Sequence, residues 1–245
     1  MQSNKIAIII PARYSSSRLP GKPLIKINEK PIIQWVYEKA VQSKYAGLII
    51  IATDDERIYD AVKSFGGNVQ MTSPEHQSGS DRMAEIVNNN HEIEIAVNVQ
   101  GDEPLIRPES IDEAIKVLID DEKADISTLI RVIDDKEEVN NPNVVKVVID
   151  NDQNALYFSR SPIPFERTLD TTVFYGHIGL YAYRRESLIK MTKLPQSMLE
   201  KTECLEQLRA LQNGMRIKIA VVDYKPIGID TKEDLEQFQS FINKY

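Results

Sequence analysis

The sequence predicts an α/β protein built on a mostly parallel sheet. Two observations carry this. Short apolar runs alternate with amphipathic helical patterns through the first half of the chain, the order that a sheet covered on both faces requires. A loop dense in cations follows the first apolar run, and open α/β sheets take their ligands beyond the carboxyl ends of their strands.

Residues 6–10 read as a buried strand. Pro31 opens a helix at its first turn, with Ile32, Val36 and Ala40 on one face and Ile33, Tyr37 and Val41 beside them. Residues 48–52 are a second buried strand. Asp54 caps the next helix, with Ile58, Ala61, Val62 and Phe65 inward and Gly66-Gly67 as its stop. Residues 95–99 form another strand. Pro108 opens a helix carrying Ile111, Ile115, Leu118 and Ile119 on its face, and residues 126–133 are strand-like. The texture changes after about Asn140: residues 144–149, 156–158 and 177–183 are strand-like, and the stretch 161–166 contains prolines. This predicts one domain over 1–245 with a smaller β-rich lobe inserted around 140–185. Residues 198–213 are helical and stop at Gly214, residues 217–222 are a last strand, and residues 230–245 are a closing helix with Leu235, Phe238 and Ile242 on one face.

Composition narrows the function. Of 245 residues, 42% are hydrophobic and 27% charged, which excludes a disordered chain. The one cysteine, Cys204, cannot form an intrachain disulfide and fits a reducing compartment. It lies among acidic neighbours in a helical run and reads as a packing residue. No segment approaches the roughly 18 apolar residues that span a bilayer, and the run 6–10 is cut off by Pro11 before it could serve as a signal-peptide core. A net charge of −7 argues against general nucleic-acid or anionic-membrane binding. It leaves room for a small anionic substrate in a locally basic loop.

Five stretches could carry chemistry. The loop 11–24 (PARYSSSRLPGKPL) places three cations, three serine hydroxyls and a glycine after the first strand, and backbone N–H groups with Arg and Lys can cradle an anion there. It lacks the spacing of a Walker A or GxGxxG loop, and a solvated turn is the plain alternative. The stretch 99–105 (VQGDEPL) puts Asp102 just past an apolar strand, a position suited to a hard cation such as magnesium. Gly101 allows close backbone approach to a ligand; an acidic turn before Pro104 is the alternative. In residues 228–233 (GIDTKE), Asp230 and Glu233 make a capping-box pattern, and Asp230 can also ligate a metal. In residues 76–82 (HQSGSDR), Ser80 or Asp81 can cap a helix while Ser78 and Gly79 read a nucleobase edge. Last come Arg160, His177 and Glu206; an unaccompanied strand histidine is usually structural, and Glu206 can simply pair with Arg209 three positions on. Three histidines and one cysteine make a zinc site improbable, and no GxSxG elbow is present.

In this order and spacing, these motifs closely resemble the 3-deoxy-manno-octulosonate (Kdo) cytidylyltransferase family. The resemblance runs nearly end to end. It is carried by 9–14 (IIPARY), 18–24 (RLPGKPL), 52–54 (ATD), 77–82 (QSGSDR), 97–104 (VNVQGDEP), 155–160 (ALYFSR), 177–179 (HIG), 205–209 (LEQLR) and Asp230-Thr231. It implies a Rossmann-like nucleotidyltransferase fold and a homodimer joined through the inserted lobe. It implies transfer of CMP from CTP to the anomeric hydroxyl of Kdo, with pyrophosphate released and Mg2+ as cofactor. The product would feed lipopolysaccharide synthesis in the cytoplasm of Gram-negative bacteria.

The resemblance also implies roles. Arg13, Ser16, Arg18 and Lys22 form the triphosphate cradle, with Arg13, Lys22 and Asp102 catalytic. Ser78 and Gly79 read cytosine, and Gln100 meets sugar or nucleotide. Asp102 and Asp230 bind the metal. Arg160, His177 and Glu206 face the sugar. One departure touches sugar choice: Tyr181-Ala182-Tyr183 stands where many members have a glycine before the second tyrosine. With Thr72-Ser73-Pro74, it is similar to relatives that activate 8-amino-Kdo. Alternatives are a cytidylyltransferase for that analogue or another acid sugar, a non-catalytic nucleotide-binding regulatory protein, and a metal-dependent glycosyltransferase using Asp54-Asp55.

Overall fold

A computed structural model describes residues 5–15, 19–168 and 171–242. In chain order it contains β1 (Ile6–Ala12), β2 (Lys26–Ile27), β3 (Lys30–Pro31), α1 (Ile32–Ala40), β4 (Leu48–Thr53), α2 (Glu56–Ser64), β5 (Val69–Met71), α3 (Gly79–Asn89), β6 (Ile95–Asn98) and α4 (Pro108–Asp120). There follow β7 (Ile126–Ile133), α5 (Lys136–Asn140), β8 (Lys146–Ile149), β9 (Ala155–Ser159), β10 (Phe174–Arg184), α6 (Arg185–Lys193), α7 (Met198–Glu203), α8 (Gln207–Gln212), β11 (Ile217–Val221) and α9 (Lys232–Ile242). The chain forms two compact units: Met1–Asp112 with Pro226–Tyr245, and Glu113–Lys225. The stretch 140–185, in which the sequence predicts an inserted lobe, lies inside the second.

In the first unit, β1 pairs in parallel with β4 and β6, and β4 pairs in parallel with β5. Residues 6–10 of β1 are buried throughout, as a strand covered on both faces requires. Helix α1 begins one residue later than expected: Pro31 is its N-cap, in extended conformation. The cap of α2 is Asp55, which accepts from the Arg57 N–H, and not Asp54. Asp54 instead pairs at 2.9 Å with Arg82, a fully buried guanidinium that also donates to Thr72. A buried Arg keeps its charge, so Asp54 is held to neutralise it and is taken from the helix end. Within this unit, Leu19, Ile27, Ile32, Ile229 and Phe238 bury one another, with Leu235 and Ile242 packed against them.

In the second unit, β11 and β7 run parallel, while β7–β10, β10–β8 and β8–β9 are antiparallel. The helix expected over 198–213 is broken: α7 ends at Cys204, whose φ of 52° is left-handed, and α8 starts at Gln207. Cys204 is exposed, which corrects its reading as a packing residue; the left-handed turn rotates its side chain out of the helix face. Among the described residues, no helix is long and apolar enough to cross a membrane.

Candidate active site

The loop after β1 is shaped by Gly21. Its φ of 69° is left-handed, and its N–H donates to the Tyr14 carbonyl at 2.9 Å. A Cβ at Gly21 would stand 3.1 Å from the Tyr14 ring. The Arg57 guanidinium lies over the same ring, 3.3 Å from its centroid. Asp55 grips Arg57 through two side-chain bonds of 2.9 and 2.6 Å, so the cap of α2 also steadies this loop. Leu19 anchors the far side in the apolar cluster. Ser16 and Arg18 lie outside the described residues.

Lys22 follows directly and points at two carboxylates. Its ammonium is 2.7 Å from Asp102 Oδ2 and 3.1 Å from Asp230 Oδ1. Two backbone contacts and one buried side chain bring these groups together. A Cβ at Gly101 would stand 2.8 Å from the Pro11 carbonyl, so the close approach that glycine allows here is between two protein segments. The Asp102 carbonyl accepts from the Ile229 N–H at 2.9 Å. Ile229 is fully buried in the apolar cluster, which fixes its neighbour Asp230.

The capping pattern expected between Asp230 and Glu233 is displaced by one residue. Thr231 Oγ accepts from the Asp234 N–H at 3.2 Å, and the Asp234 carboxylate accepts from the Thr231 and Asp230 N–H groups at 2.9 Å each. The helix end is thereby capped by other residues, and the Asp230 carboxylate meets Lys22. Next to Asp102, Glu103 is almost wholly buried. Burial, and then the charge of Asp102, push its carboxyl up to about 8. Residue type alone assigns Glu103 no role in the VQGDEPL run; its burial singles it out.

Arg13 donates to the His76 carbonyl at 2.9 Å, tying the first loop to the segment before α3. Ser78, not Ser80 or Asp81, is the N-cap of α3: its hydroxyl accepts from the Asp81 N–H at 3.1 Å, and Asp81 closes the capping box at 3.1 Å to the Ser78 N–H. Gly79 is the first residue of that helix. Gln100 lies half-buried after β6.

The second unit carries Arg160, His177 and Glu206. Arg160 donates through its guanidinium to the carbonyls of Glu203, Pro142 and Cys204. Glu206 lies 4.0 Å from Arg209, but Arg209 is held chiefly by Glu200, at 2.8 and 2.5 Å. His177 stacks edge-on to Phe158 and tilted against Tyr181, and burial pushes its imidazolium down to about 3. Its tautomer follows from Thr128. The Thr128 hydroxyl lies 2.9 Å from His177 Nε2, 3.1 Å from the Ile178 carbonyl and 2.8 Å from the Leu180 carbonyl. Both carbonyls reach one hydroxyl because the β10–β7 register shifts between Ile178 and Tyr181. A hydroxyl has one proton. It goes to a carbonyl, so Nε2 donates to Thr128 and Nδ1 is the acceptor.

Parallel strands with a cationic loop and paired carboxylates at their carboxyl ends define a nucleotide-handling α/β protein. Residues 7–217 match the family model described as cytidylyltransferase. The 3-deoxy-manno-octulosonate cytidylyltransferase of Solibacter usitatus (strain Ellin6076) is 50% identical over 234 residues, 95% of this chain and 92% of that protein. The protein of the same name from Thermodesulfovibrio yellowstonii (strain ATCC 51303 / DSM 11347 / YP87) is 49% identical over 250 residues, 97% of this chain and 98% of its own. A solved structure of CMP:2-keto-3-deoxy-manno-octonic acid synthetase complexed with CTP matches with a TM-score of 0.94 at 43% identity, over 98% of this chain and 99% of that one. A cytidylyltransferase from Leptospira borgpetersenii serovar Hardjo-bovis (strain JB197), 17% identical with a TM-score of 0.66 over 99% of this chain and 88% of that one, shares the fold. The chain belongs to the 3-deoxy-manno-octulosonate cytidylyltransferase family.

Proposed function

We propose that this protein transfers CMP from CTP to the anomeric hydroxyl of Kdo, giving CMP-Kdo and pyrophosphate for lipopolysaccharide synthesis in the cytoplasm. The observation that carries the reading is the Lys22 ammonium between Asp102 and Asp230, at the carboxyl ends of parallel strands. The sugar hydroxyl oxygen bonds to the α-phosphorus of CTP and gives up its proton to water, the bond to the bridging oxygen breaks, and pyrophosphate leaves with the electron pair. Such a transfer rests on positioning and electrostatics. Arg13 and Lys22 neutralise the leaving charge, while Ser78 and Gly79 hold the cytosine end and Gln100 the sugar or ribose.

The donor set fits magnesium. Two carboxylate oxygens already converge on one cation, the Lys22 ammonium, and hard oxygens suit this metal. Phosphate oxygens and water would complete the coordination of such an ion. When bound, it supplies charge neutralisation at the phosphate and acidity at the attacking hydroxyl.

In the second unit, Arg160, His177 and Glu206 are read as facing the acid sugar. The Tyr181-Ala182-Tyr183 sequence, with Ala182 fully buried in β10, stands where the family more usually has a glycine, and on that resemblance the 8-amino analogue is the second substrate reading. Homodimerisation through the lobe is part of the same proposal. The test is pyrophosphate release with CTP and magnesium, comparing Kdo, 8-amino-Kdo and sialic acid. Release strongest with Kdo is expected. Preference for the amino analogue moves the assignment to that sugar, and silence with all three sinks the reading.

A further inference from the structure

Arg160 follows the last residue of β9, and its guanidinium is held by main-chain oxygens. Nε donates to the Glu203 carbonyl at 2.8 Å, Nη1 to the Pro142 carbonyl at 2.9 Å and Nη2 to the Cys204 carbonyl at 3.4 Å. Of the five N–H groups of a guanidinium, these take three. Carbonyl dipoles orient the group without cancelling its charge. Among the described residues, no side-chain carboxylate forms an ion pair with it. The left-handed turn at Cys204 is what offers two successive carbonyls, where a continuing helix would have used them internally.

The backbone of Arg160 is held from both sides as well. Its N–H donates to Glu203 Oε2 at 2.9 Å, and its carbonyl accepts from the Lys146 ammonium at 2.6 Å. Lys146 is fully buried and spends its other two protons on the Asn141 and Val144 carbonyls, at 2.9 and 2.6 Å. The second carboxylate oxygen of Glu203 accepts from the Ser159 hydroxyl at 2.7 Å and from Tyr157 at 3.4 Å. Burial pushes the Glu203 carboxyl up, but these bonds and the Arg160 charge outweigh it and hold it below its ordinary value. Glu203 therefore touches Arg160 at its amide and, through its own carbonyl, at its guanidinium.

We propose that Glu203 is the positioning residue for Arg160, aiming its two remaining guanidinium N–H groups at the carboxylate of the acid sugar. The proposal rests on the reading of Arg160 as sugar-facing, and the experiment separates the two. Steady-state KM for Kdo and for CTP, kcat and melting temperature are measured for Glu203→Gln, Glu203→Asp, Ser159→Ala, Arg160→Ala and the double variant Glu203→Gln/Arg160→Ala. Glu203→Gln is expected to raise the Kdo KM by about tenfold or more, the loss of one charge-assisted bond, with the CTP KM within about twofold. Glu203→Asp restores part of the loss, and Ser159→Ala gives a smaller rise in the same direction. The double variant should be no worse than Arg160→Ala alone, because the two residues act as one unit. An unchanged Kdo KM in Glu203→Gln and Ser159→Ala, with a raised one in Arg160→Ala, overturns the positioning role and leaves the pocket reading standing. An unchanged Kdo KM in Arg160→Ala overturns both. Equal rises in the Kdo and CTP KM, or a melting temperature lowered in step with activity across the series, reduce Glu203 to a structural residue.

Discussion

Lys22 holds two carboxylates that would otherwise repel each other, and each of the two should fail in its own way. Asp102→Ala and Asp102→Asn should cut turnover by about a hundredfold or more; retention of near-normal pyrophosphate release in magnesium would overturn the proposed metal-binding role of Asp102. Asp230→Ala should lose turnover with little loss of stability, since Thr231 and Asp234 cap α9. The contrast is Asp234→Ala, expected to cost about 1 kcal/mol of stability, read by chemical denaturation. His177 supplies a pH prediction. Its folded-state value near 3 lies below the ordinary value of about 6.5, so the folded protein resists a proton that the unfolded chain accepts. Its contribution to stability is intact above about 6.5 and declines as pH falls toward 3. Denaturation curves against pH should fall less steeply for His177→Gln. Nitrogen NMR should show the His177 ring neutral at pH 6.5 with the proton on Nε2, a preference that Thr128→Val weakens.

The strand ends and the loops between them place the groups, and here glycine chemistry is testable. Gly101→Ala forces a methyl to within 2.8 Å of the Pro11 carbonyl. It should cost about 1–3 kcal/mol and lower turnover together with melting temperature, because the Asp102 loop must retreat. Much of this level was legible in the sequence. The apolar runs at β1, β4 and β6, the Pro108 helix start and the Gly66 stop all carry local signals. Three features were not legible, for physical reasons. Asp230-x-x-Glu233 and Thr231-x-x-Asp234 are equally good capping patterns one residue apart, and only the partner of Asp230, 208 positions away in the chain, decides between them. The break between α7 and α8 has no Gly or Pro to mark it. Thr128 reaches His177 only through the pairing of β7 with β10. Lys146 did leave a trace, a lone cation inside an apolar strand run, which in a buried strand demands partners.

The two units differ in how the chain builds them. In the second, Phe165 is 87% exposed, at a groove of about 620 Å3 lined by residues including Ile133, Pro162, Pro164, Phe165 and Phe174. Exposed apolar surface of this kind is a candidate docking face. If the homodimer proposed here forms through it, sedimentation velocity should show a dimer that Phe165→Glu converts to monomer. A dimer unaffected by that change places the interface elsewhere. The first unit, by contrast, is discontinuous: it needs Pro226–Tyr245 to join Met1–Asp112. That sets an order on biosynthesis. A nascent chain that has left the ribosome through Lys225 carries the entire second unit and Asp102, yet lacks Ile229 and the carboxylate that meets Lys22 from the other side. The carboxylate pair around Lys22 is thus completed only after the second unit has been made, and translation that stops at Lys225 leaves a protein with half of that pair.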